Sequence, residues 1–344
     1  MTARVRLLVH LVRPAVLFLF VTYLAVGFTQ AGGGQSPWSL ALPVLAVTGF
    51  LMFSVAVNDL ADERVDRVNL VGDRCRVLVS GSSSRHELVV MGAVSACVTP
   101  AAALLMGWRS LLVVVVGMVL SAGYSLPPTR LAARGAIAAV VLPACYVAVP
   151  YLLGVFAAAE AVTVADLGLL AGLYLGFMGR ILLKDFRDMR GDALFGKRTF
   201  LVRHGRVATC RASSLLWTAG TVVILVTTRS TSAAYVLGLT ALLVVALLLL
   251  RKLAEDRGRR RDDALVSALA IVGRGAMLLV LAHLGMANEG WPAPMAAAVT
   301  MILTALTLGQ AHDMVRSGPR LVPWGAAETM AEAAASTARP RLSR

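Results

Sequence analysis

The chain has 344 residues, of which 58% are hydrophobic and only 15% are charged, and its mean hydropathy is +0.76. This composition excludes a soluble globular domain, because such domains are about half apolar and about a quarter charged. The net charge of +14 does not indicate a nucleic-acid partner, because the basic residues are dispersed among short segments without a nucleic-acid-binding module. We therefore expect an integral membrane protein.

Ten apolar segments follow one another along the chain, and an apolar helix of such length crosses a hydrocarbon core about 30 Å thick. We place them near residues 14–31, 38–57, 88–108, 110–123, 134–157, 163–183, 213–228, 232–250, 264–287 and 292–310. The fourth is short, so it either tilts or extends back through Trp108 and Arg109. The predicted fold class is an all-α integral membrane protein, with one transmembrane domain over residues 1–312. Residues 313–344 are predicted to form a cytoplasmic tail that is largely disordered.

The basic residues predict the orientation of these helices. If the N-terminus is cytoplasmic, all but three of the 33 Lys and Arg residues fall on the cytoplasmic side; the three are Arg109, Arg229 and Arg274. Lys and Arg are retained on that side of short loops. We therefore expect both termini in the cytoplasm and assign the protein to a plasma membrane of the bacterial type.

The first strong local signal is the sequence NDLADERVD, which begins where the second apolar segment ends. In a helix, residues four apart share a face, so Asn58, Asp62 and Asp66 form a stripe with Asp59 beside it. Like-charged carboxylates this close together repel one another. The pattern therefore indicates a site for a cation.

A second acidic cluster, KDFRDMRGD, follows the sixth apolar segment. Asp188 and Asp192 are four residues apart and Asp185 lies one turn earlier, which repeats the spacing of the first cluster. Carboxylate oxygens are ligands that Mg²⁺ prefers, and Mg²⁺ fills its remaining positions with waters and substrate phosphates. Two opposed clusters thus predict a Mg²⁺ site that holds a diphosphate. The competing interpretation is that each cluster is only a solvated charged face.

Basic and hydroxyl side chains around the clusters are candidates for binding the free phosphate oxygens. Arg67 lies beside the first cluster, Lys184 opens the second, and Lys197 with Arg198 follow it. The sequence YSLPPTR ends the fourth segment, where two prolines stop the helix and hold Tyr124 and Ser125 at the membrane interface.

Taken together, these motifs resemble the UbiA superfamily of intramembrane prenyltransferases. The family pattern N-D-x-x-D-x-x-x-D is matched by Asn58, Asp59, Asp62 and Asp66, and its second pattern, D-x-x-x-D, by Asp188 and Asp192 with Asp185 before them. YSLPPTR, which ends at Arg130, matches a third family element, and Arg13 with Pro14 is similar to an Arg-Pro pair before the first family helix. The resemblance implies nine transmembrane helices around a central cavity, to which this chain adds a C-terminal helix.

The resemblance and the acidic geometry together predict the site residues. The expected Mg²⁺ ligands are Asn58, Asp59, Asp62, Asp66, Asp185, Asp188 and Asp192, of which Asp62, Asp66, Asp188 and Asp192 are the predicted catalytic residues. The expected diphosphate-binding residues are Arg67, Tyr124, Ser125, Arg130, Lys184, Lys197 and Arg198.

The function predicted from the sequence is Mg²⁺-dependent transfer of a prenyl group from an allylic prenyl diphosphate to a small, aromatic acceptor; the expected partner is a lipophilic or aromatic molecule. Two alternatives within the superfamily are terpene cyclisation and transfer of a phosphoribosyl group to a polyprenyl phosphate. An alternative of another class is an ion-coupled secondary transporter, because acids inside membrane proteins often form ion pathways. The position of these acids at helix ends favours the enzyme.

Overall fold

A computed structural model describes residues 11–34, 37–69, 78, 83–186, 199–255 and 258–319, with backbone alone for residues 37, 64–69 and 259. Within these residues the chain forms ten long helical segments, two short 3₁₀ turns (Pro37–Leu40 and Leu131–Ala133) and no strand. They are α1 (Pro14–Gln30), α2 (Ala41–Asn69), α3 (Arg85–Leu105), α4 (Trp108–Ser125), α5 (Ala136–Ala158), α6 (Val164–Ile181), α7 (Phe200–Thr228), α8 (Ala233–Ala254), α9 (Arg259–Asn288) and α10 (Ala293–Ser317).

Nine of these described helices are long and apolar enough to cross a membrane, and α1 is a shorter apolar helix of 17 residues. The predicted all-α membrane protein is therefore confirmed. The additional C-terminal helix is present as α10, which packs against α8 and α9 at the edge of the bundle. Residues 320–344, which contain most of the predicted tail, lie outside the described residues.

Two helices extend well beyond the predicted apolar segments. The second continues through the acidic cluster to Asn69, and α7 begins at Phe200, before the apolar run predicted from residue 213. A hydropathy pattern marks only the part of a helix that faces hydrocarbon, so polar turns outside the bilayer are missed. The fourth helix begins at Trp108, so of the two possibilities given for this short segment, a tilt or an extension through Trp108 and Arg109, the structure shows the extension.

The helices form a closed arrangement in which α1 and α5 lie at the centre. One cluster of buried apolar side chains joins α1 and α5 to α2, α3 and α4, and a second joins them to α6, α7, α8 and α9. Contacts between α9 and α1 complete the bundle. The ends of α2, α4 and α6 meet at one end of the bundle, where Arg130 contacts Asp62 and Lys184 contacts Tyr124.

Glycines allow the central helices to approach closely. A Cβ atom at Gly27 of α1 would lie 2.1 Å from the carbonyl oxygen of Tyr151, and one at Gly154 of α5 would lie 2.0 Å from that of Leu24. A side chain at either position would therefore force α1 and α5 apart. Since α1 begins beside the first acidic cluster, this contact helps to position the candidate site.

A buried ion pair joins four segments at the same end of the bundle. The Arg206 guanidinium donates to Asp262 of α9, with 3.0 Å from Nη1 to Oδ2, and to the carbonyl oxygen of Leu253 at 3.2 Å. It also lies over the ring of Phe186, 5.0 Å from the centroid. Arg206 thus connects α7, α8 and α9 to the segment that follows α6.

We expect Arg206→Met to destabilise the protein by about 3–5 kcal/mol, because it leaves the Asp262 carboxylate buried without its cation. The side chains of Arg206 and Asp262 are only 15% and 9% exposed. The measurement is thermal unfolding of the purified protein in detergent. Arg85→Gln is the matched control: its pair with Glu63 involves an arginine that is 67% exposed, so we expect a loss below about 1 kcal/mol. Equal losses in the two variants would contradict this assignment.

Candidate functional site

The first acidic cluster lies on a continuous helix, as predicted. The Asn58 amide donates to Asp62, with 3.0 Å from Nδ2 to Oδ2, so these residues share one face of α2. Asp59, beside them, is only 3% exposed and accepts a hydrogen bond of 2.9 Å from Nη2 of Arg13. Asp66 and Arg67 belong to the same helix, but their side chains lie outside the described part of the chain.

The turn after α4 reaches back to this cluster. Tyr124 and Ser125 are buried at the end of α4, and the Thr129 hydroxyl donates to the carbonyl oxygen of Gly123 at 2.8 Å. Arg130 adopts a left-handed backbone conformation with φ 33° and donates from Nη2 to Asp62 Oδ1 at 3.1 Å. The predicted diphosphate-binding turn therefore adjoins the predicted metal ligands.

Arg13 and Arg130 share an uncommon backbone feature. Both are non-glycine residues with positive φ, 43° and 33°, and both direct a guanidinium group to a carboxylate of α2. Such conformations cost about 1–3 kcal/mol each and are concentrated at functional sites. This strain at two arginines that contact one acidic cluster is consistent with a functional role.

The second acidic cluster begins at the same end of the bundle. Directly after α6, Lys184 donates from Nζ to the Tyr124 hydroxyl at 3.0 Å, and Asp185 is 7% exposed. Desolvation lowers the pKa of Lys184, but the Tyr124 hydroxyl and the Asp185 carboxylate outweigh this effect, so the pKa lies above its ordinary value. Lys184 is therefore cationic at neutral pH. Asp188, Asp192, Lys197 and Arg198 lie outside the described residues.

Tyr146 of α5 connects the two clusters. Its phenol lies near Arg13, which pairs with Asp59 of the first cluster. It also lies near Tyr124 and Lys184, which are hydrogen-bonded to each other where the second cluster begins. Its ring stacks on Phe177 at 5.6 Å and meets Phe20 edge-on at 5.0 Å. Three aromatic rings, those of Phe20, Tyr146 and Phe177, therefore pack together inside the bundle near the polar site.

An apolar cavity lies beside these rings, because Phe177 lines it. Its volume is about 70 Å³, and α1, α6, α7, α8 and α9 enclose it. Tyr23 and Phe177 line it and meet edge-on, with ring centroids 6.3 Å apart. A mostly apolar lining with a few polar side chains is typical of sites for small molecules.

The predicted metal site is only partly described. Among the described residues, no three acidic, histidine or cysteine side chains lie close enough together to hold a metal ion. The described candidates, Asn58, Asp59, Asp62 and Asp185, nevertheless offer the oxygen donors that suit Mg²⁺. The side chains of three further predicted ligands, Asp66, Asp188 and Asp192, lie outside the part of the chain that the structure describes.

The structure thus brings together Asn58, Asp59 and Asp62 with Tyr124, Ser125, Arg130, Lys184 and Asp185 at one end of the bundle. Sequence reasoning did not place Arg13 or Tyr146 in the site. The Arg-Pro pair before α1 was the available signal for Arg13, whereas Tyr146 is one of several tyrosines in apolar segments and carries no local mark.

This arrangement defines a class of protein: a helical membrane bundle with acidic and basic side chains gathered at one end, next to an apolar cavity. The family model for the UbiA prenyltransferase family matches residues 18–272, and the chain belongs to that family. The resemblance found in the motifs is therefore confirmed.

Two characterised relatives have similar sequences. The chain is 32% identical to the bacteriochlorophyll synthase 34 kDa chain of Chloroflexus aurantiacus over 46% of this chain, and the match spans only half of that protein. It is 28% identical to digeranylgeranylglyceryl phosphate synthase of Natronomonas pharaonis over 69% of this chain and 80% of that protein.

Solved structures show the same fold. A structure of digeranylgeranylglyceryl phosphate synthase in membranes superposes with a TM-score of 0.64 at 15% identity, covering 81% of this chain and 98% of the other. A UbiA homolog from Archaeoglobus fulgidus bound to DMAPP and Mg²⁺ gives a TM-score of 0.55 at 16% identity, covering 90% and 99%. At these identities the comparison supports the shared fold alone.

Proposed function

We propose that this protein transfers a prenyl group from an allylic prenyl diphosphate to a lipophilic acceptor within the membrane. The C–O bond to the diphosphate breaks with its electron pair on the leaving oxygen, the acceptor supplies the electron pair of the new bond, and its proton is released. The observation that carries the proposal is the meeting of Asp62 with Arg130 and of Lys184 with Tyr124 at one end of the bundle, next to an apolar cavity.

The acidic residues are proposed to hold Mg²⁺. Asp59 and Asp62, with Asp66, Asp188 and Asp192, supply the carboxylates, while Asn58 orients Asp62 through their hydrogen bond. When bound, Mg²⁺ neutralises the diphosphate and makes it a better leaving group. The Archaeoglobus fulgidus homolog, which was solved with DMAPP and Mg²⁺, supports this choice of metal and substrate.

The basic residues are proposed to hold the diphosphate itself. Lys184 is cationic and is positioned by its hydrogen bond to Tyr124, and Arg130 lies against the metal-binding face of α2. Groups aimed at the oxygen where negative charge develops lower the barrier to loss of diphosphate. Arg67, Lys197, Arg198 and Ser125 remain predicted members of this set.

The aromatic rings beside the cavity are proposed to protect the reacting carbon. Phe177 lines the cavity and stacks on Tyr146, so a prenyl chain held beside these rings is shielded from water. Ring faces also attract cations, and the allylic carbon becomes positive as the C–O bond breaks. Cation capture by the acceptor is thereby favoured over capture by water.

The acceptor and the orientation are also part of the proposal. The family resemblance predicts an aromatic acceptor. The name of one relative, digeranylgeranylglyceryl phosphate synthase, refers to a product with a glyceryl phosphate group, so a non-aromatic acceptor is equally compatible.

The positive-inside pattern supports a cytoplasmic site and cytoplasmic termini in a plasma membrane of the bacterial type.

Product analysis tests the proposal against its alternatives. Membranes that contain the protein are incubated with allylic diphosphates of several lengths and Mg²⁺, with and without acceptors, and the products are identified by mass spectrometry. We expect a prenylated acceptor and free diphosphate, both lost with EDTA. Cyclised hydrocarbon without acceptor would indicate a cyclase, a ribosylated polyprenyl phosphate would indicate phosphoribosyl transfer, and ion-coupled uptake without product would indicate a transporter.

A further inference from the structure

A groove with a volume of about 520 Å³ lies between the first two turns of α9 and the last turn of α10. Three arginines line it, Arg260 and Arg261 from α9 and Arg316 from α10, and its lining includes no acidic side chain. Because α9 and α10 pack against each other, the arginines of both helices are brought to one place. The two helices therefore build a basic groove together.

The charges of these three arginines are not used within the described part of the chain. All three are exposed there, and their side chains make no ion pair and no hydrogen bond. The acids of the same helix ends lie outside the groove: Asp262 binds Arg206, Asp313 accepts a hydrogen bond of 3.1 Å from Ser317, and Asp263 is not part of the lining. Three like charges on one groove repel one another, and an anion relieves this repulsion.

The position of the groove indicates which anion it suits. Arg260 and Arg261 precede the apolar run of α9, which starts near residue 264, and Arg316 follows that of α10, which ends near residue 310. The groove thus lies at the depth of the lipid headgroups, where basic residues attract anionic lipids. Leu265 and Val315 also line it, and a soluble anion would make no use of an apolar wall.

The outer face of α10 offers a surface for the acyl chains of such a lipid. Ile302 and Leu306 are exposed in the bundle. They lie on the same helical face as Arg316, because steps of three and four residues connect the three positions. The ten residues from Leu306 to Arg316 span about 15 Å of helix, which is within the length of one leaflet's hydrocarbon. A phosphate at Arg316 therefore places an acyl chain along this apolar face.

We propose that the groove binds the phosphate headgroup of an anionic membrane lipid, with Arg260, Arg261 and Arg316 as the phosphate-binding residues. Guanidinium groups match phosphate oxygens through paired hydrogen bonds. The lipid would connect α9 to α10, the helix that this chain adds to the nine expected from the resemblance. The inference is independent of the proposed function, because the groove shares no residue with the candidate site and its occupancy is measured without a prenyl diphosphate.

Two lipids with identical chains test the charge requirement. Dissociation constants of dioleoyl phosphatidylglycerol and zwitterionic dioleoyl phosphatidylcholine are measured by native mass spectrometry of the full-length protein in a neutral detergent. We expect the first phosphatidylglycerol to bind about 10- to 100-fold more tightly, because each arginine near the membrane surface contributes about fivefold. Equal affinities for the two lipids would overturn the inference.

A soluble competitor distinguishes a lipid site from a site for free phosphate. Glycerol 3-phosphate carries the same anionic group without the acyl chains. At the concentration of the lipid it should leave phosphatidylglycerol bound, because it gains nothing from the apolar wall or from the outer face of α10. Displacement at that concentration would contradict a lipid site.

Variants assign the preference to the groove. Arg261→Gln combined with Arg316→Gln should weaken phosphatidylglycerol binding about 10- to 30-fold and leave phosphatidylcholine binding unchanged. The matched control is Arg251→Gln combined with Lys252→Gln, which removes two exposed charges from the end of α8 that adjoins the start of α9. This control should change the affinity by less than about twofold. Equal weakening in the two double variants would mean that the general positive field attracts the lipid.

Photocrosslinking locates the lipid in the unaltered protein. Phosphatidylglycerol with a diazirine near the headgroup end of one acyl chain is irradiated with the wild-type protein, and the labelled peptides are identified by mass spectrometry. We expect labelling of the first turns of α9 or the last turns of α10, which excess phosphatidylglycerol abolishes and excess phosphatidylcholine does not. Labelling confined to other helices would contradict the proposal.

Discussion

Replacing Asp62 with asparagine should reduce prenyl transfer by about 10³-fold or more, because preorganised charge at the reacting group contributes effects of this size. Asp62 lies at the centre of the described site, where it accepts hydrogen bonds from Asn58 and Arg130. Asparagine keeps the shape of the side chain but removes the negative charge that Mg²⁺ requires. The measurement is the rate of diphosphate release at saturating Mg²⁺ and geranyl diphosphate.

The neighbouring acid supplies the control for this prediction. Glu63 follows Asp62 on the same helix and pairs with Arg85 at 2.9 Å. Glu63→Gln removes the same charge and should leave the rate within about twofold, as expected for an exposed pair of little energetic weight. Similar losses in the two variants would mean that general charge, and not a specific ligand, explains the effect.

The second large effect is expected for Lys184→Gln, which should lower kcat/KM for the prenyl diphosphate by about 10- to 100-fold, the range for a lost hydrogen bond to a charged group. Lys184 is cationic and fixed by the Tyr124 hydroxyl at 3.0 Å. The loss should appear in the dissociation constant of geranyl diphosphate, measured by equilibrium binding with Mg²⁺ present. Lys184→Arg should recover part of the affinity, because it restores the charge with different geometry.

Lys252 provides a matched lysine for comparison. It is exposed in the last turn of α8 and contributes no contact to the described site. Lys252→Gln should therefore bind geranyl diphosphate as the wild type does. If Lys184→Gln also bound it normally, Lys184 would be an interfacial anchor instead of a diphosphate ligand.

Much of the fold was predictable because the bilayer imposes a simple requirement. Backbone groups in hydrocarbon must be paired within a helix, so each long apolar run predicts one crossing. The same rule does not determine where helices end in water, which is why the polar extension of α2 to Asn69 and the early start of α7 at Phe200 were missed.

The candidate site was predictable where its residues are close in sequence. The hydrogen bond between Asn58 and Asp62 follows from helical periodicity, but the contacts of Arg13 with Asp59 and of Lys184 with Tyr124 join residues far apart in the chain. Such contacts depend on how the helices pack, which periodicity does not specify. Arg274 was recognisable as an isolated charge in an apolar segment, whereas the cavity that it lines required the structure.

The central claim is that two acidic segments hold metal against one prenyl diphosphate, and pulsed electron paramagnetic resonance with Mn²⁺ in place of Mg²⁺ tests it most directly. With geranyl diphosphate bound, we predict a magnetic coupling between Mn²⁺ and the phosphorus nuclei in the wild-type protein. The coupling should disappear in both Asp62→Asn and Asp188→Asn. A coupling of unchanged size in either variant, or none in the wild type, would contradict the account.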